Sequence, residues 1–190
     1  MPLIQLKPVV DVSDALLGEV RRLYESSFPF DERRDWTDFV RIMQVEKRFH
    51  CQVVMRQAED DAAAAFCGFL NYWDFSSRYV YIEHFAMRPL LRNQGLGGEA
   101  LRQMQRQHSR PLVLEAELPT DDLTRRRVAF YERHGLRLLR SDYIQPPFRE
   151  RGNTVPLCIL GTADSFTDED VRRLHQVVYG TTAYAPQSVS

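Results

Sequence analysis

The sequence predicts an α/β fold in which helices flank a mixed, mostly antiparallel central sheet. Two observations carry this prediction. Three strand-like segments follow one another with no helix between them, which is typical of an antiparallel meander: FHCQVVMRQ, AAAAFCGFLNYW and SRYVYIEHFAM. After them helical and strand patterns alternate, and a strand, helix, strand order implies a right-handed crossover that joins a parallel pair.

The composition is that of one globular domain, which we expect to span residues 1–190. Apolar residues make up 44% of the chain and charged residues 27%. The formal net charge of −1 disfavours a general nucleic-acid binder. No apolar run approaches the roughly 18 residues of a membrane helix, and the N-terminus lacks the charge and apolar length of a secretory signal. We therefore expect a cytoplasmic protein that binds neither nucleic acid nor membrane.

The cysteines predict no special chemistry. Cys51, Cys67 and Cys158 stand far apart, each in an apolar run. Such residues are expected to be small core residues in a reducing compartment. Nothing in the sequence resembles a zinc pattern, so no metal is expected.

The remaining elements follow from helical or alternating periodicity and from capping residues. An N-terminal strand, PLIQLKPVV, precedes a helix with a predicted cap at Ser13, and a short helix covers residues 36–47. After the meander the pattern predicts, in order, helix 95–108, strand PLVLEAEL, helix 123–134, strands LRLLRSDYI and TVPLCIL, and a last helix from a cap at Thr167 to Gly180. The acidic segment AEDD is predicted to be a turn, and residues 181–190 a flexible tail.

Glycines cluster where the third meander strand leads into a helix, in the segment YIEHFAMRPLLRNQGLGGEAL, residues 81–101. Amides at the start of a helix have no partner in the helix and lie at the positive end of its dipole, so they can bind an anion. Gly95, Gly97 and Gly98 therefore predict a phosphate cradle, with Arg88 and Arg92 adding positive charge. The alternative is a helix start that needs small residues only to pack against the sheet.

The same glycines also fit a dinucleotide fingerprint, GLGGEA, with Glu115 about 20 residues further on. In that motif the first glycine follows its strand directly, whereas here RPLLRNQ separates Met87 from Gly95. The preceding strands are also joined as hairpins, which a doubly wound nucleotide domain does not do. We therefore expect no NAD site.

This segment resembles the signature of the GNAT superfamily of acetyl-CoA-dependent N-acetyltransferases. The signature loop R/Q-x-x-G-x-G/A is matched by Arg92, Gly95 and Gly97, and a second element is recognisable in AFYERHGL, with Tyr131 and Gly135. The resemblance extends from the first strand to about residue 160. It implies a three-layer fold whose splayed parallel pair opens the sheet, with acetyl-CoA as the co-substrate.

The resemblance also implies how acetyl-CoA is held. The main chain around Ala86 would pair with the pantetheine arm, and the amides of residues 93–98 would hold the pyrophosphate. Two positions depart from the family pattern: Thr124 stands where many members have Asn, and Arg127 where a small residue is usual. The implied cofactor-binding residues are Phe85, Ala86, Met87, Arg92, Asn93, Gln94, Gly95, Leu96, Gly97, Gly98 and Thr124.

Acetyl transfer to an amine needs a neutral amine, a polarised thioester carbonyl and a proton for the departing thiolate. A buried carboxylate is costly without a partner or a task, and partial burial raises its pKa toward neutrality. Glu83 is therefore predicted to be the general base. Tyr131, which the resemblance places beside the thioester, is predicted to be the general acid, and a main-chain N–H near Met87 to polarise the carbonyl.

Each catalytic assignment has a structural alternative. Glu83 could instead anchor the splayed strands or an arginine, and Tyr131 could be a core aromatic. Strand alternation places Glu83 on one face and His84 on the other, where it is interpreted as a core histidine. The face shared with Glu83 is predicted to hold Tyr79, Tyr81, Phe85 and Met87.

The acceptor site is predicted from two loops and one strand. FPFDERRDW, where the family builds one wall of its acceptor pocket, offers Phe28, Glu32 and Arg33, and DYIQPPF offers Tyr143 as the opposite wall. Glu115 and Glu117 share one face of LVLEAEL. We hypothesise that Glu83, Glu32 and one or both of these carboxylates form an acidic mouth that attracts a cationic amine. The alternative is a set of solvated charges.

The function predicted from the sequence is direct transfer of the acetyl group of acetyl-CoA to a primary amine of a small molecule or peptide. The alternative is a non-catalytic module that binds or senses acyl-CoA. Retention of both Glu83 and Tyr131 favours the enzyme, since a sensor needs neither. The C-terminal helix, with its apolar residues, is compatible with a homodimer.

Overall fold

The structure is a computed structural model that describes residues 4–57 and 64–181. The predicted turn at AEDD and, apart from Thr181, the predicted tail lie outside these residues. The described chain contains, in order, β1 (Ile4–Val9), α1 (Leu16–Ser27), α2 (Trp36–Val45), β2 (Phe49–Arg56), β3 (Ala65–Asp74), β4 (Val80–Met87), α3 (Leu96–Gln107), β5 (Leu112–Glu117), α4 (Asp122–Glu132), β6 (Arg137–Gln145), β7 (Val155–Gly161) and α5 (Asp168–Leu174). The last helix continues into a π-helical turn, His175–Tyr179, called the π-turn below.

The strands form one mixed sheet in the order β1-β2-β3-β4-β5-β7-β6. All neighbouring strands are antiparallel except β4 and β5. That parallel pair is short: it runs from Val80 opposite Leu112 to Ile82 opposite Leu114. Beyond this point β5 continues to pair with β7, while β4 continues alongside β3. The predicted mixed sheet with a splayed parallel pair is therefore confirmed.

The helices cover both faces of the sheet and bury two apolar clusters. The first cluster packs α1, α2 and α5 with the π-turn against one face, and the second packs α3 and α4 against the other. This three-layer arrangement follows from the apolar stripe on each helix. All three cysteines are buried and free, as predicted. None of the helices in residues 4–57 and 64–181 has the length and apolar character of a membrane span.

The two predicted helix caps had different outcomes. Thr167 caps α5 through a reciprocal capping box with Asp170, as predicted. Ser13 does not cap α1, which begins at Leu16; instead the Asp14 carboxylate accepts a hydrogen bond from the Leu16 N–H at 2.9 Å. The N-cap of α1 is Ala15, so the predicted cap at Ser13 is wrong by two residues, a normal uncertainty at helix ends.

β4 contains a bulge at Glu83, which changes the predicted faces of this strand. Tyr72 of β3 lies opposite Ile82 but Asn71 lies opposite His84, so Glu83 is an extra residue. Beyond the bulge the alternation shifts by one: Ala86 packs in the cluster with α1 and α2, while Phe85 and Met87 pack against the cluster with α3 and α4. The predicted faces of His84, Phe85 and Met87 are therefore wrong.

Candidate active site

A cleft of about 910 Å³ opens where β4 and β5 diverge. Its walls are the end of β4, the start of α3, the end of β5, α4 and the loop after α1. It brings together most of the predicted site residues: Phe28, Glu32, Glu83, Phe85, Ala86, Met87, Arg92, Asn93, Gly95, Gly97, Gly98, Glu117 and Tyr131. It does not include Arg33, Gln94, Leu96, Thr124 or Tyr143.

The predicted residues outside the cleft lining have other contacts. The Thr124 hydroxyl accepts from the Asp121 N–H at 3.0 Å, and the Thr124 N–H donates to the Asp121 carboxylate at 2.8 Å, so Thr124 belongs to the capping box of α4. Leu96 is buried in the apolar core. Arg33 and Gln94 donate to main-chain carbonyls nearby. The side chains of these four residues therefore stabilise the loops and helices around the cleft.

The start of α3 has the properties of an anion site. Gly95 is its N-cap with φ of 78°, a left-handed conformation, and a Cβ there would meet nothing within 4 Å. The first intrahelical bond runs from the Glu99 N–H to the Gly95 carbonyl at 3.1 Å, so the amides before Glu99 point out of the helix. Arg92 flanks them, and its Nε donates to the Met87 carbonyl at 3.2 Å. This set of amides beside open space fits a phosphate group.

Gly98 has a packing role in addition to carrying one of the amides before Glu99. A Cβ at Gly98 would overlap the imidazole of His134, which follows α4. A Cβ at Gly97 would lie 3.4 Å from Met87 and 3.5 Å from Phe130, which are ordinary contacts. The packing requirement considered in the sequence analysis therefore applies to Gly98, and the prediction that its N–H belongs to the phosphate cradle stands beside it.

Gly98→Ala is expected to destabilise the fold by about 1–3 kcal/mol, because overpacking displaces the His134 ring. The displacement also strains the hydrogen bond between His134 Nδ1 and the Phe130 carbonyl, now 2.8 Å long. Urea unfolding measures the change. Gly97→Ala is the matched control and should lower the free energy of unfolding clearly less. The double variant Gly98→Ala with His134→Ala should regain the stability that Gly98→Ala loses, because the clashing ring is then absent. Equal unfolding curves for Gly98→Ala and the wild type would contradict this packing role.

Glu83 forms a buried ion pair with Arg34. Arg34 Nε and Nη2 donate to the two carboxylate oxygens at 3.0 and 3.2 Å, and Trp73 Nε1 donates at 2.5 Å. The Glu83 side chain is only 1% exposed, whereas the residue as a whole is half-buried. The exposed part of Glu83 is therefore its main chain, which faces the cleft. The bulge thus turns the carboxylate away from the site.

The pKa of Glu83 is low for a base. Burial raises it, but the charge of Arg34 and the contact with His84, 3.3 Å away, outweigh burial and lower the pKa to about 2. The prediction that burial moves this pKa toward neutrality is wrong, because the sequence did not identify Arg34 as a partner. The geometry matches the alternative role, a carboxylate that anchors an arginine.

Arg34 links three parts of the fold that are distant in sequence. It is fully buried, and besides Glu83 it donates to Asp38 of α2 at 3.3 Å and to the Val178 carbonyl of the π-turn at 2.7 Å. Its guanidinium also lies 4.8 Å from the centre of the Phe148 ring. This role could not be predicted from the sequence, because Arg34 stands in a charged loop segment that is typical of solvent exposure.

Glu115 of β5 lines the cleft and has a pKa near neutrality. Its carboxylate accepts from the Tyr143 phenol at 2.5 Å and from the Tyr179 phenol at 3.0 and 3.1 Å. Burial raises its pKa to about 7, although hydrogen bonds from Tyr143, Tyr81 and Tyr179 lower it. Glu115 therefore exchanges a proton in the pH range of a general base. Glu115 was not predicted to be the base, although its position in an apolar strand was a usable signal.

Tyr143 was predicted to form one wall of the acceptor site, but it does not line the cleft. It is buried, and its hydroxyl contacts Glu115 from behind the cleft. Tyr131 does line the cleft, at the end of α4, next to the Phe130 ring. Burial raises the pKa of its phenol to about 12, with Arg127 lowering it slightly, so Tyr131 carries its proton at neutral pH.

The mouth of the cleft is mixed in charge. Glu117 forms an ion pair with Arg127, and Glu32 lies on the opposite wall, where burial raises its pKa. The side formed by α3 and α4 is basic, with Arg92, Arg102, Arg126, Arg127 and Arg133 in the lining. The carboxylates of the hypothesised acidic mouth do meet here, except that the Glu83 side chain is turned away. Across residues 4–57 and 64–181, no group of three or more His, Cys, Asp or Glu side chains is arranged to hold a metal ion.

Comparison with known proteins finds a family model and solved structures that match this chain. Residues 17–136 match the model of the acetyltransferase (GNAT) family. A solved structure assigned to GNAT-family acetyltransferases, from Bacteroides thetaiotaomicron, is 32% identical to this chain, with a TM-score of 0.79 over 93% of this chain and 98% of that chain. No curated protein matched in the corresponding search.

More distant structures share the fold alone. Arabidopsis thaliana NAA60, in complex with a bisubstrate analogue, is 15% identical, with a TM-score of 0.58 over 84% of this chain and 97% of that chain. A GNAT-family acetyltransferase from Elizabethkingia anophelis, with acetyl-CoA bound, is 15% identical, with a TM-score of 0.52 over 83% and 96% of the two chains. The ribosomal-protein-S18-alanine N-acetyltransferase of Escherichia coli is also 15% identical, with a TM-score of 0.54 over 88% and 98%.

Proposed function

The chain belongs to the GNAT family of acetyl-CoA-dependent N-acetyltransferases, and we propose that it transfers the acetyl group directly to a primary amine with Glu115 as the base. One observation carries this proposal: the cleft holds a carboxyl with a pKa of about 7 and a protonated phenol, Glu115 and Tyr131, beside a free helix start. These are the proton acceptor, the proton donor and the anion site that the reaction needs.

Acetyl-CoA is proposed to bind along the open side of β4. Pairing with β5 ends at Ile82, so the β5-facing main chain of residues 85–87 is left without a strand partner in the described chain and can pair with the pantetheine arm. The amides at the start of α3, with Gly95, receive the pyrophosphate. The thioester then lies within the divergence of β4 and β5, where acetyl-CoA supplies the activated acetyl group.

The proton transfers are assigned to two side chains. Glu115 takes a proton from the acceptor ammonium, directly or through water, and the neutral amine attacks the thioester carbonyl. A main-chain N–H near Met87 polarises that carbonyl. Tyr131 donates its proton to the sulfur of the departing CoA, and the second proton that the attacking nitrogen loses, as it becomes the amide, restores the Tyr131 phenol directly or through water. Glu83 keeps its ion pair with Arg34 throughout and holds the bulge of β4 in place.

The acceptor is proposed to be a small-molecule or peptide amine that enters between Phe28 and Glu32 on one wall and Glu117 on the other. The test is a panel of amines with acetyl-CoA: spermidine, kanamycin, glycine, a peptide with a free N-terminus and a blocked peptide containing lysine. CoA release is followed with a thiol reagent and the product by mass spectrometry. We expect acetylation of at least one member. Binding of acetyl-CoA without acetylation of any member would instead support the sensor function.

Tyr131→Phe is expected to lower kcat by about 100-fold, because the thiolate then departs without its proton donor. Binding of acetyl-CoA, measured by calorimetry, should change little, since the ring remains. Tyr72→Phe, a change in a buried tyrosine outside the cleft lining, is the matched control and should keep the wild-type kcat. Full turnover by Tyr131→Phe with the best amine of the panel would show that Tyr131 is only a core aromatic.

A further inference from the structure

A chain of hydrogen bonds leads from Glu115 away from the cleft. The Tyr143 phenol donates to Glu115 Oε1 at 2.5 Å, and its oxygen also lies 3.2 Å from His175 Nε2 in the π-turn. Tyr143 is buried, whereas His175 is partly exposed. One buried hydroxyl therefore connects a carboxyl in the cleft with the imidazole of a partly exposed residue.

We propose that Glu115, Tyr143 and His175 form a proton relay that carries the proton removed from the acceptor amine to solvent. The inference rests on the proposed function, in which Glu115 accepts that proton. Each turnover converts an ammonium and acetyl-CoA into an amide, the CoA thiol and one released proton. A carboxyl enclosed by three tyrosines and a bound substrate needs a route by which that proton leaves.

The relay step changes only O–H and N–H bonds. Protonated Glu115 gives its proton to the Tyr143 oxygen while the hydroxyl proton of Tyr143 passes to His175 Nε2. The imidazolium then releases its Nδ1 proton to water, which leaves His175 neutral and Glu115 ionised. Before the transfer His175 carries its hydrogen on Nδ1 and afterwards on Nε2, so loss of the Nε2 proton and uptake of a proton from water at Nδ1 restore the starting tautomer before the next turnover.

The surroundings of the three groups support this order of events. Burial and the nearby Glu115 charge raise the pKa of the Tyr143 phenol far above its ordinary value, so no phenolate accumulates and the two transfers occur together. Burial lowers the pKa of His175, which keeps the imidazole neutral and able to accept. The other groups facing Glu115 are the Tyr81 and Tyr179 phenols and the Glu83 charge. His175 is faced by the Tyr143 and Tyr179 rings.

Tyr179 explains how the carboxylate stays in place during the transfer. Its phenol donates to both oxygens of Glu115, so Glu115 keeps a donor when the Tyr143 hydroxyl turns to His175. Tyr179 and His175 belong to the same π-turn, and the neighbouring Val178 carbonyl is held by Arg34. The π-turn thus supplies both the anchor and the exit of the relay.

The test compares His175→Gln, His175→Ala and the control His50→Ala, which changes a half-buried histidine outside the cleft lining. Glutamine keeps a hydrogen-bonding group toward Tyr143 but takes up no proton at neutral pH. We expect His175→Gln to lower kcat by at least about 10-fold, the lower part of the range for proton transfer groups, with an unchanged KM for acetyl-CoA. Added imidazole should restore His175→Ala and leave His50→Ala unaffected.

The assays use the panel amine with the highest wild-type turnover, with Glu115→Gln measured in parallel. Normal kcat in His175→Gln together with slow turnover in Glu115→Gln would overturn the relay and leave the proposed function standing. Loss of activity in His175→Ala that imidazole does not restore would assign His175 a purely structural role. A wild-type protein that acetylates no amine would remove the proposed function, and the relay with it.

Discussion

Replacing Glu115 with Gln is expected to lower kcat for the acceptor amine by about 10²–10⁴-fold, the range that a general base contributes. The amide keeps hydrogen bonds with Tyr143 and Tyr179 but accepts no proton from the ammonium. The KM for acetyl-CoA should change little, because Glu115 lies on β5, away from the helix start that receives the phosphates. Steady-state kinetics at pH 8, with the amine at saturation, measure the effect.

Glu117→Gln is the matched control, since this glutamate lies on the same face of β5 two residues further on and pairs with Arg127. It should change kcat by less than about threefold, as expected for a partly exposed ion pair. A control for folding also exists. The pKa of Glu115 in the folded protein is raised to about 7, so above that pH the ionised carboxylate lowers the stability of the fold. Glutamine carries no charge, so Glu115→Gln should be at least as stable as the wild type in urea unfolding at pH 8. Wild-type kcat in Glu115→Gln would exclude it as the base.

Arg34→Met is expected to destabilise the fold by about 3–5 kcal/mol, because it leaves the buried Glu83 carboxylate without its counter-charge, whereas Asp38 keeps its ion pair with Arg41. At roughly 2–4 °C per kcal/mol for a chain of this size, the melting temperature should fall by about 6–20 °C. Arg33→Met, at the neighbouring partly exposed arginine, is the matched control and should change stability by less than about 1 kcal/mol. Urea and thermal unfolding give both values.

Two further measurements separate a buried charge effect from lost packing. The double variant Arg34→Met with Glu83→Gln removes the orphaned charge at Glu83 and should recover part of the lost stability. The folded pKa of Glu83, about 2, lies below its ordinary value, so its contribution to stability is present above pH 4.5 and is lost as the pH falls toward 2. Arg34→Met should flatten this acid limb. Identical acid unfolding of both proteins would contradict the ion pair's role.

Most of the fold could be predicted because its elements have strong local patterns. The meander and the crossover from β4 to β5 follow from periodicity and element order, and the glycine turn before α3 has its own signature. The insertion of β7 between β5 and β6 was not predicted. Even so, alternation failed within β4. Both faces of that strand are apolar, so inserting one residue at Glu83 leaves no mark in the hydrophobic pattern.

The site was predicted less completely, because its decisive contacts are between residues far apart in the chain. Arg34 and Glu83 are 49 positions apart, and Glu115 and Tyr179 are 64 apart. A buried glutamate indicates a partner or a task, but the sequence does not say which. The charge of Arg34 lowers the pKa of Glu83, whereas burial raises the pKa of Glu115 to about 7 and the hydrogen bonds from three tyrosines offset only part of that rise. Tyr131 and the helix start could be identified because each belongs to a local motif.

The pH dependence of kcat/KM for the acceptor tests the choice between the two glutamates most directly. The wild type should show a rising limb as the pH increases through about 7, because only ionised Glu115 accepts the proton. Folded Glu83→Gln should show the same rising limb of kcat/KM through about pH 7. Glu115→Gln should show no such rise. A limb that persists in Glu115→Gln and disappears in Glu83→Gln would contradict the account and return the base to β4.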